Sequence, residues 1–268
     1  GKLHARPPVG FQRLPIPLAL AVFLMVVLGP ALALGGVHKL TIACATAASA
    51  LMTLALVWGS HRRQELLIPN YGLLLLGVLT FTALQTIPLP LSVLSLVSGK
   101  SIEVLKVSLP GAGGLYGWYP LSLDPGSTTW ELLKLGSCVA VFIGAYNLMV
   151  EPAWRDRLMS GLAFVGVVIV AVAVVGKYIA PDKHMLFYTP RATWDLGLIR
   201  TSFVNPNHGA AFLAISCVSA LGLALSRYTT RWRVFYFVVA SVVGTGVCLT
   251  LSRGGILALG GGLILFLF

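Results

Sequence analysis

The chain has 268 residues, of which 57% are hydrophobic and only 10% are charged. Soluble globular domains carry about 25% charged residues, so this composition excludes a water-soluble enzyme, a secreted disulfide scaffold and a disordered chain. The net charge of +11 would suit a nucleic-acid partner in a soluble protein, but here the basic residues are dispersed between apolar runs. The sequence therefore predicts an all-α, polytopic membrane protein whose surroundings are lipids and which has no nucleic-acid partner.

Apolar runs long enough to cross a bilayer, about 20 residues each, predict about eight transmembrane helices. They cover 14–34, 40–59, 68–86, 129–149, 158–179, 208–226, 234–251 and 254–268. Because the last run is cut by the final residue, we expect 1–268 to be a single transmembrane domain that forms the N-terminal portion of a longer chain. The four cysteines lie singly in separate runs, without the spacing of a metal or redox site, so no metal and no cofactor is expected.

Basic residues in the short connecting segments predict the orientation. They precede the first span and follow the second, fourth and sixth spans: Lys2, Arg6, Arg13, Arg62, Arg63, Arg155, Arg157, Arg227, Arg231 and Arg233. By the positive-inside rule these segments and the N-terminus are cytoplasmic, and the longer segments 87–128 and 180–207 face outward. Apolar residues at helical spacing in 87–128 indicate a helix in the headgroup plane, with a hydrophobic plug as the open alternative.

Two arginines on the predicted outward face are the most informative residues. Arg200 precedes the sixth span, and Arg253 interrupts what would otherwise be one apolar stretch. An arginine near membrane depth costs a few kcal/mol, so it pairs with a carboxylate or an anionic ligand, or it snorkels to water as a helix anchor. Two guanidiniums beside a helix N-terminus suit phosphate or pyrophosphate, because each offers a planar fork of donors. We expect both to be catalytic residues at one membrane surface.

Polar neighbours of these arginines are the predicted substrate-binding residues. Ser252 is expected to cap the eighth span and to turn the helix N-terminus toward an anion. Asn205 and Asn207 fit either a turn with an N-cap for the sixth span or a pair of amides that hold a sugar or phosphate. His208 suits a general base, although a structural role is commoner for a histidine at a helix start. His184, Arg191 and Asp195 lie in the same outward segment and are weaker candidates.

Three short motifs lie in order along the chain. They are PLSLDP at 120–125 with Thr128, FVNPN at 203–207 after Arg200, and SRGGIL at 252–257, which contains an Arg-x-x-x-Leu pattern. With LQTIPLP at 84–90, their order and spacing resemble the O-antigen ligase and O-antigen polymerase family of bacterial envelope glycosyltransferases. The resemblance extends over about residues 68–268.

The resemblance implies a metal-independent, inverting glycosyltransferase of the C-type class. Its donor would be an undecaprenyl-pyrophosphate-linked glycan, its acceptor another glycan or lipid A-core, and its location the periplasmic face of the bacterial inner membrane. It further implies that Arg200 and Arg253 hold the pyrophosphate, and that a histidine in a large periplasmic loop beyond this sequence supplies the base. Ligation, polymerisation and transfer to protein are not separated by these residues.

Two other functional classes are open alternatives. A transporter or flippase for an anionic lipid-linked substrate would line a passage with its arginines and break its helices near the midplane. The clustering of the two arginines at one predicted surface, and the near absence of ionisable residues in the central span regions, argue mildly against that class. A non-catalytic assembly subunit is the second alternative.

Overall fold

The computed structural model describes residues 16–36, 38–63, 67–108, 117–150, 152–189, 199–227 and 229–266. Within these ranges the chain is almost entirely helical, with one small two-stranded ladder and a short 3-10 turn at Leu34–Gly36. The helices are α1 Ile16–Leu32, α2 Lys39–Arg63, α3 Asn70–Leu84, α4 Leu91–Val97, α5 Gly99–Ser108, α6 Pro125–Leu148, α7 Pro152–Ile179, α8 Pro206–Ser226, α9 Thr230–Leu249 and α10 Arg253–Leu265, and the strands are β1 Pro88–Pro90 and β2 Trp118–Pro120.

Four helices of the described chain, α6 to α9, are long and apolar enough to cross a membrane. The other apolar helical segments are 10–17 residues long, namely Val22–Leu32, Lys39–Ala55, Asn70–Leu84 and Arg253–Leu265. These are shorter than the roughly 20 residues that a bilayer crossing takes. A helical membrane protein is therefore confirmed, whereas the count of about eight crossings stays a prediction.

Three helices begin four or more residues earlier than their apolar runs predict, and the first of them, expected at 129, starts at Pro125. The run expected at 158–179 belongs to a helix that starts at Pro152, and the run expected at 234–251 belongs to one that starts at Thr230. The arginines assigned to connecting segments there therefore lie within helices: Arg155, Arg157, Arg231 and Arg233. Hydropathy locates only the apolar part of a helix. Because proline is favoured at the first helical position and arginine is a good helix former, a helix can begin before its apolar run does.

Helix α8 is the centre of the bundle and packs against α7, α9 and α10. Its inward face consists mainly of small residues, and the core around it includes the fully buried Leu213, Ile169, Val243 and Val247. Small side chains and glycines let helix backbones approach closely, which is the usual basis of helix packing in membranes. A second, smaller cluster of Phe23, Met52 and Leu158 joins α1, α2 and α7.

Close contacts fix the directions of these helices. In each of two helix pairs, one contact near the start of both helices is followed by a second contact further along both. The contacts are Ser160–Tyr236 and Val170–Gly246 between α7 and α9, and Ala210–Gly255 and Val218–Gly262 between α8 and α10. Helix α7 is therefore parallel to α9, and α8 is parallel to α10. Because α9 leads into α10 through a turn of three residues, the starts of α8 and α10 lie at the same end of the bundle as the end of α9. The starts of α7 and α9 lie at the other end.

The segment 87–128 forms a small unit of its own. Strand β1 pairs antiparallel with β2, with Pro88 opposite Pro120. Helices α4 and α5 come between the two strands in the sequence. Leu94 is fully buried in this unit, whereas Leu96 is 87% exposed. The segment thus contains helices, and their position in a headgroup plane stays a prediction.

Candidate functional site

The starts of α8 and α10 are joined by a side-chain hydrogen bond. The Ser252 hydroxyl donates to Oδ1 of Asn207 over 2.7 Å, and its oxygen accepts from the backbone N–H of Gly255 over 3.1 Å. In the first turn of α10, a Cβ added to Gly255 would overlap with the Cβ of Ala210 in α8. The motif containing Arg253 is therefore fixed against the motif containing Asn207.

The segment that carries Arg200 is pressed onto the same end of α8. Thr201 and Ser202 are buried, and the Ser202 hydroxyl donates to the carbonyl of Ala31 at the end of α1 over 2.6 Å. Thr201 lies so close to Gly209 in the first turn of α8 that an added Cβ would overlap with its hydroxyl. The structure thus places the segments of Arg200 and Arg253 at one end of α8.

The two arginines differ in their surroundings. Arg200 is half-buried and interacts with other groups of the protein. Arg253 is exposed at the first position of α10, and it forms no ion pair with a carboxylate of the described residues. A guanidinium carries five donors, so both residues are able to contact an oxyanion.

The first turn of α10 leaves backbone donors open. Ser252 caps the helix by taking the N–H of Gly255 on its hydroxyl, and its carbonyl takes the N–H of Ile256. Among the described residues, the N–H groups of Arg253 and Gly254 have no acceptor, and no atom lies within 4 Å of a Cβ placed on Gly254. The start of α10 therefore combines two free N–H groups, the positive end of a helix dipole and an exposed guanidinium.

The start of α8, by contrast, has no backbone N–H group left without an acceptor among the described residues. Pro206 has no N–H, and the N–H of Asn207 donates to Oδ1 of Asn205 over 2.9 Å. The N–H groups of His208 and Gly209 both donate to the carbonyl of Asn205, over 3.1 and 3.2 Å. Asn205 is therefore the N-cap of α8, one of the two roles that its sequence allowed.

A cavity of about 540 Å³ opens beside this cap. It is lined by Leu34, Gly35, Phe203, Val204, Asn205, Pro206, Asn207 and His208. The structure thus brings three of the predicted substrate-binding residues, Asn205, Asn207 and His208, to one cavity. The described residues that line it include no Lys, Arg, Asp or Glu, so the exposed guanidinium of Arg253 lies outside the described part of the cavity wall.

Backbone strain is concentrated around this end of the bundle. Among the described residues, four that are not glycine have positive φ angles: 55° at Leu34, 50° at Met185, 70° at Leu186 and 56° at Leu251. Leu34 lines the cavity, Leu251 directly precedes Ser252, and the other two follow His184. Each such residue costs about 1–2 kcal/mol, and strain of this kind clusters at functional sites, where the surrounding structure holds it in place.

His184, one of the weaker candidates from the sequence, contacts the segment that carries Arg200. The residue is only 3% exposed, and its Nδ1 lies 2.9 Å from the carbonyl oxygen of Thr201. Its backbone bridges to Tyr188, whose ring meets that of His38 edge to face. Nothing in the local sequence distinguishes His184 from a surface histidine, because its partner is 17 residues away and is a backbone group.

The remaining predictions have a simpler outcome. Arg191 and Asp195 lie outside the described residues. Among the described residues, no group of three or more His, Cys, Asp or Glu side chains is placed to hold a metal ion. No known protein family, characterised protein or solved structure matches the chain, so the site rests on its own geometry.

Proposed function

We propose that the chain belongs to an enzyme that transfers a glycan from undecaprenyl pyrophosphate to an acceptor hydroxyl. The reaction would take place at the periplasmic face of a bacterial inner membrane, as ligation or polymerisation in lipopolysaccharide or surface polysaccharide synthesis. One observation carries the proposal: the hydrogen bond between Ser252 and Asn207 holds the open, cationic start of α10 beside a cavity whose described wall combines apolar side chains with two amides. In such a substrate the diphosphate is negatively charged and the sugar attached to it is neutral, so the diphosphate would match the start of α10 and the sugar would match the cavity.

The chemistry needs these donors and, in addition, a base, which none of these groups supplies. The acceptor oxygen attacks the anomeric carbon, a new glycosidic bond forms, and the bond from that carbon to the diphosphate oxygen breaks. The electron pair leaves with the diphosphate, and the acceptor proton passes to a base. Negative charge grows on the departing oxygen, and Arg253, Arg200 and the N–H groups of Arg253 and Gly254 supply donors for it. Fixed donors in a site of low dielectric stabilise such charge more strongly than water does.

The proposal includes a placement in the membrane. The shorter apolar helices α1, α2, α3 and α10 would complete about eight crossings, and the starts of α8 and α10 would face the periplasm. The positions of the arginines in α7 and α9 support this orientation, because Arg155, Arg157, Arg231 and Arg233 lie at the end of the bundle opposite to the cavity. Arginine-rich ends face the cytoplasm in most inner-membrane proteins.

The test is the transfer rate of Arg253→Ala in proteoliposomes. They would contain undecaprenyl-pyrophosphate-linked glycan and either lipid A-core or a second lipid-linked glycan as acceptor. Loss of one donor to a developing oxyanion lowers the rate by about 10²–10³-fold, and we expect a fall of this size. Arg253→Lys should recover only part of it, because an ammonium lacks the planar fork of donors.

Arg231→Ala is the matched control, since it removes an exposed arginine from the first turn of a helix at the opposite end of the bundle. Its rate should equal that of the wild type. A wild-type rate for Arg253→Ala would mean that this arginine only anchors α10. Movement of labelled lipid across the bilayer without any new glycosidic bond would instead identify a flippase.

A further inference from the structure

We propose that the cavity beside α8 is a binding site for a neutral sugar, recognised through the amide NH₂ groups of Asn205 and Asn207. The proposal rests on the proposed function in one respect: the sugar would be the residue attached to the diphosphate. The cavity itself offers a binding chemistry that can be tested without the lipid. The proposal follows from a count of the hydrogen-bond donors and acceptors that the fold leaves unused in the cavity wall.

The oxygen of the Asn205 amide is already used by the fold. It accepts the backbone N–H of Asn207 over 2.9 Å, and since that group is only a donor, the atom facing it is the oxygen. The NH₂ group of Asn205 has no acceptor among the described residues. Asn205 is exposed and lines the cavity, so its two N–H donors are left for a ligand.

The oxygen of the Asn207 amide is used as well. The Ser252 hydroxyl donates its proton to Oδ1 of Asn207 over 2.7 Å, while its oxygen accepts from the N–H of Gly255. The NH₂ group of Asn207 also has no acceptor within the described ranges. These two lining residues therefore carry four amide N–H donors that have no acceptor among the described residues.

The rest of the lining fits a sugar better than an anion. The described lining residues include no Lys, Arg, Asp or Glu, and the N–H groups at the start of α8 are consumed by Asn205. Phe203, Leu34 and Pro206 add apolar surface to the same cavity. A pyranose presents oxygens that accept hydrogen bonds at its edge and C–H groups on its faces, so it matches both kinds of surface. An anion is served better by the start of α10.

Two substitutions separate the donors from the cap. Ser and Asp both cap helices as well as Asn does, so Asn205→Ser and Asn205→Asp should retain α8 while removing both N–H donors. Asn205→Ser adds no charge, whereas Asn205→Asp adds a negative one. Asn207→Asp likewise keeps the oxygen that accepts from Ser252 and loses the NH₂ group.

The experiment uses the full chain in nanodiscs with two probes. Methyl β-hexopyranoside, observed by saturation-transfer NMR, reports on the cavity alone, and sugar-free undecaprenyl pyrophosphate reports on the start of α10. We expect the glycoside to bind the wild type, and its affinity to fall by about threefold to tenfold in Asn205→Ser, Asn205→Asp and Asn207→Asp. Asn205→Ser should bind sugar-free undecaprenyl pyrophosphate as the wild type does.

The results separate this inference from the proposed function. Absence of glycoside binding to the wild type, or equal binding to wild type and Asn205→Ser, would overturn the sugar site even if glycan transfer occurs. A loss seen only in Asn205→Asp, and mainly with the lipid diphosphate, would overturn it too, because charge and not the donors would then matter. Glycoside binding that depends on the amides, in a protein that transfers no glycan, would support the sugar site and contradict the proposed function.

Discussion

Single side chains at helix starts cap three of the described helices, and two of these caps also belong to the candidate site. Asp124 caps α6, Asn205 caps α8 and Ser252 caps α10, each through a side-chain oxygen. The caps of α8 and α10 also build the candidate site, because Asn205 lines the cavity and Ser252 bonds to Asn207 across the two helices. Asp124 has only the first role, and it therefore shows what capping alone contributes.

The cap of α6 should depend on pH. The side-chain and backbone hydrogen bonds from Ser127 hold the pKa of Asp124 below its usual value of 3.8. Because the pKa is lowered in the folded state, the stabilisation is complete above 3.8 and is lost as the pH falls through the lower, folded value. We expect deuterium exchange at the first turn of α6, corrected for intrinsic rates, to rise in that acidic window.

Asn caps helices as well as Asp but does not titrate, so Asp124→Asn is the control. Its first turn should exchange with no acid-induced increase between pH 4 and the acidic window. An equal increase in wild type and Asp124→Asn would show that another group causes the loss of protection.

At the scale of helices, glycines determine how closely α10 approaches its neighbours. Gly255 lies against Ala210 in α8, whereas Gly254 next to it faces open space. The two residues have the same type and neighbouring positions in one helical turn, but only one of them is a packing contact. Their sequence, Arg-Gly-Gly, indicates a close approach without saying which glycine makes it.

Alanine at these two positions should have opposite effects. Gly255→Ala forces an overlap with Ala210 and should destabilise the protein by about 1–3 kcal/mol, the usual effect of overpacking. Gly254→Ala should be neutral or stabilise by up to about 1 kcal/mol, because alanine is the better helix former. Thermal unfolding in detergent measures both, and equal values for the two variants would contradict the α8–α10 contact.

Helix boundaries show what hydropathy leaves out. It locates the apolar centres of α7 and α9 but not their starts, because Arg155 and Arg231 belong to helices that continue past the apolar run. The segment 87–128 has the same difficulty in another form. Its short helices α4 and α5 come between strands β1 and β2 in the sequence. The pairing of these two strands joins residues that are about 30 positions apart, so no local pattern predicts it.

The molecule as a whole has two chemically different ends. At one end, Arg227 at the end of α8 bonds to Asp156 of α7 over 3.0 Å and lies over the ring of Tyr236 in α9. At the other end lie the cavity and the open start of α10. Helix α8, with 21 residues, spans about 31 Å between these ends, close to the thickness of a bilayer's hydrocarbon core.

Cysteine labelling in inverted and right-side-out vesicles should report these two ends. Cysteines at Asn205 and Arg253 should react with a membrane-impermeant reagent from one side, and cysteines at Arg155 and Arg231 from the other. The native cysteines Cys44, Cys138, Cys217 and Cys248 would first be replaced by alanine. Labelling of Asn205 and Arg253 from opposite sides would exclude a shared site.

The class of protein could be predicted from the sequence, because composition and the length of apolar runs are local properties that the bilayer selects directly. The caps at Asn205 and Ser252 could be predicted too, since a cap is read from a residue and the few that follow it. The folded structure was needed to show that Ser252 bonds to Asn207, 45 positions away, that His184 contacts the Arg200 segment, and that Leu34 lines the cavity. These contacts depend on how closely helices pack, which is set by the fit of side chains between helices and not by any pattern along one of them.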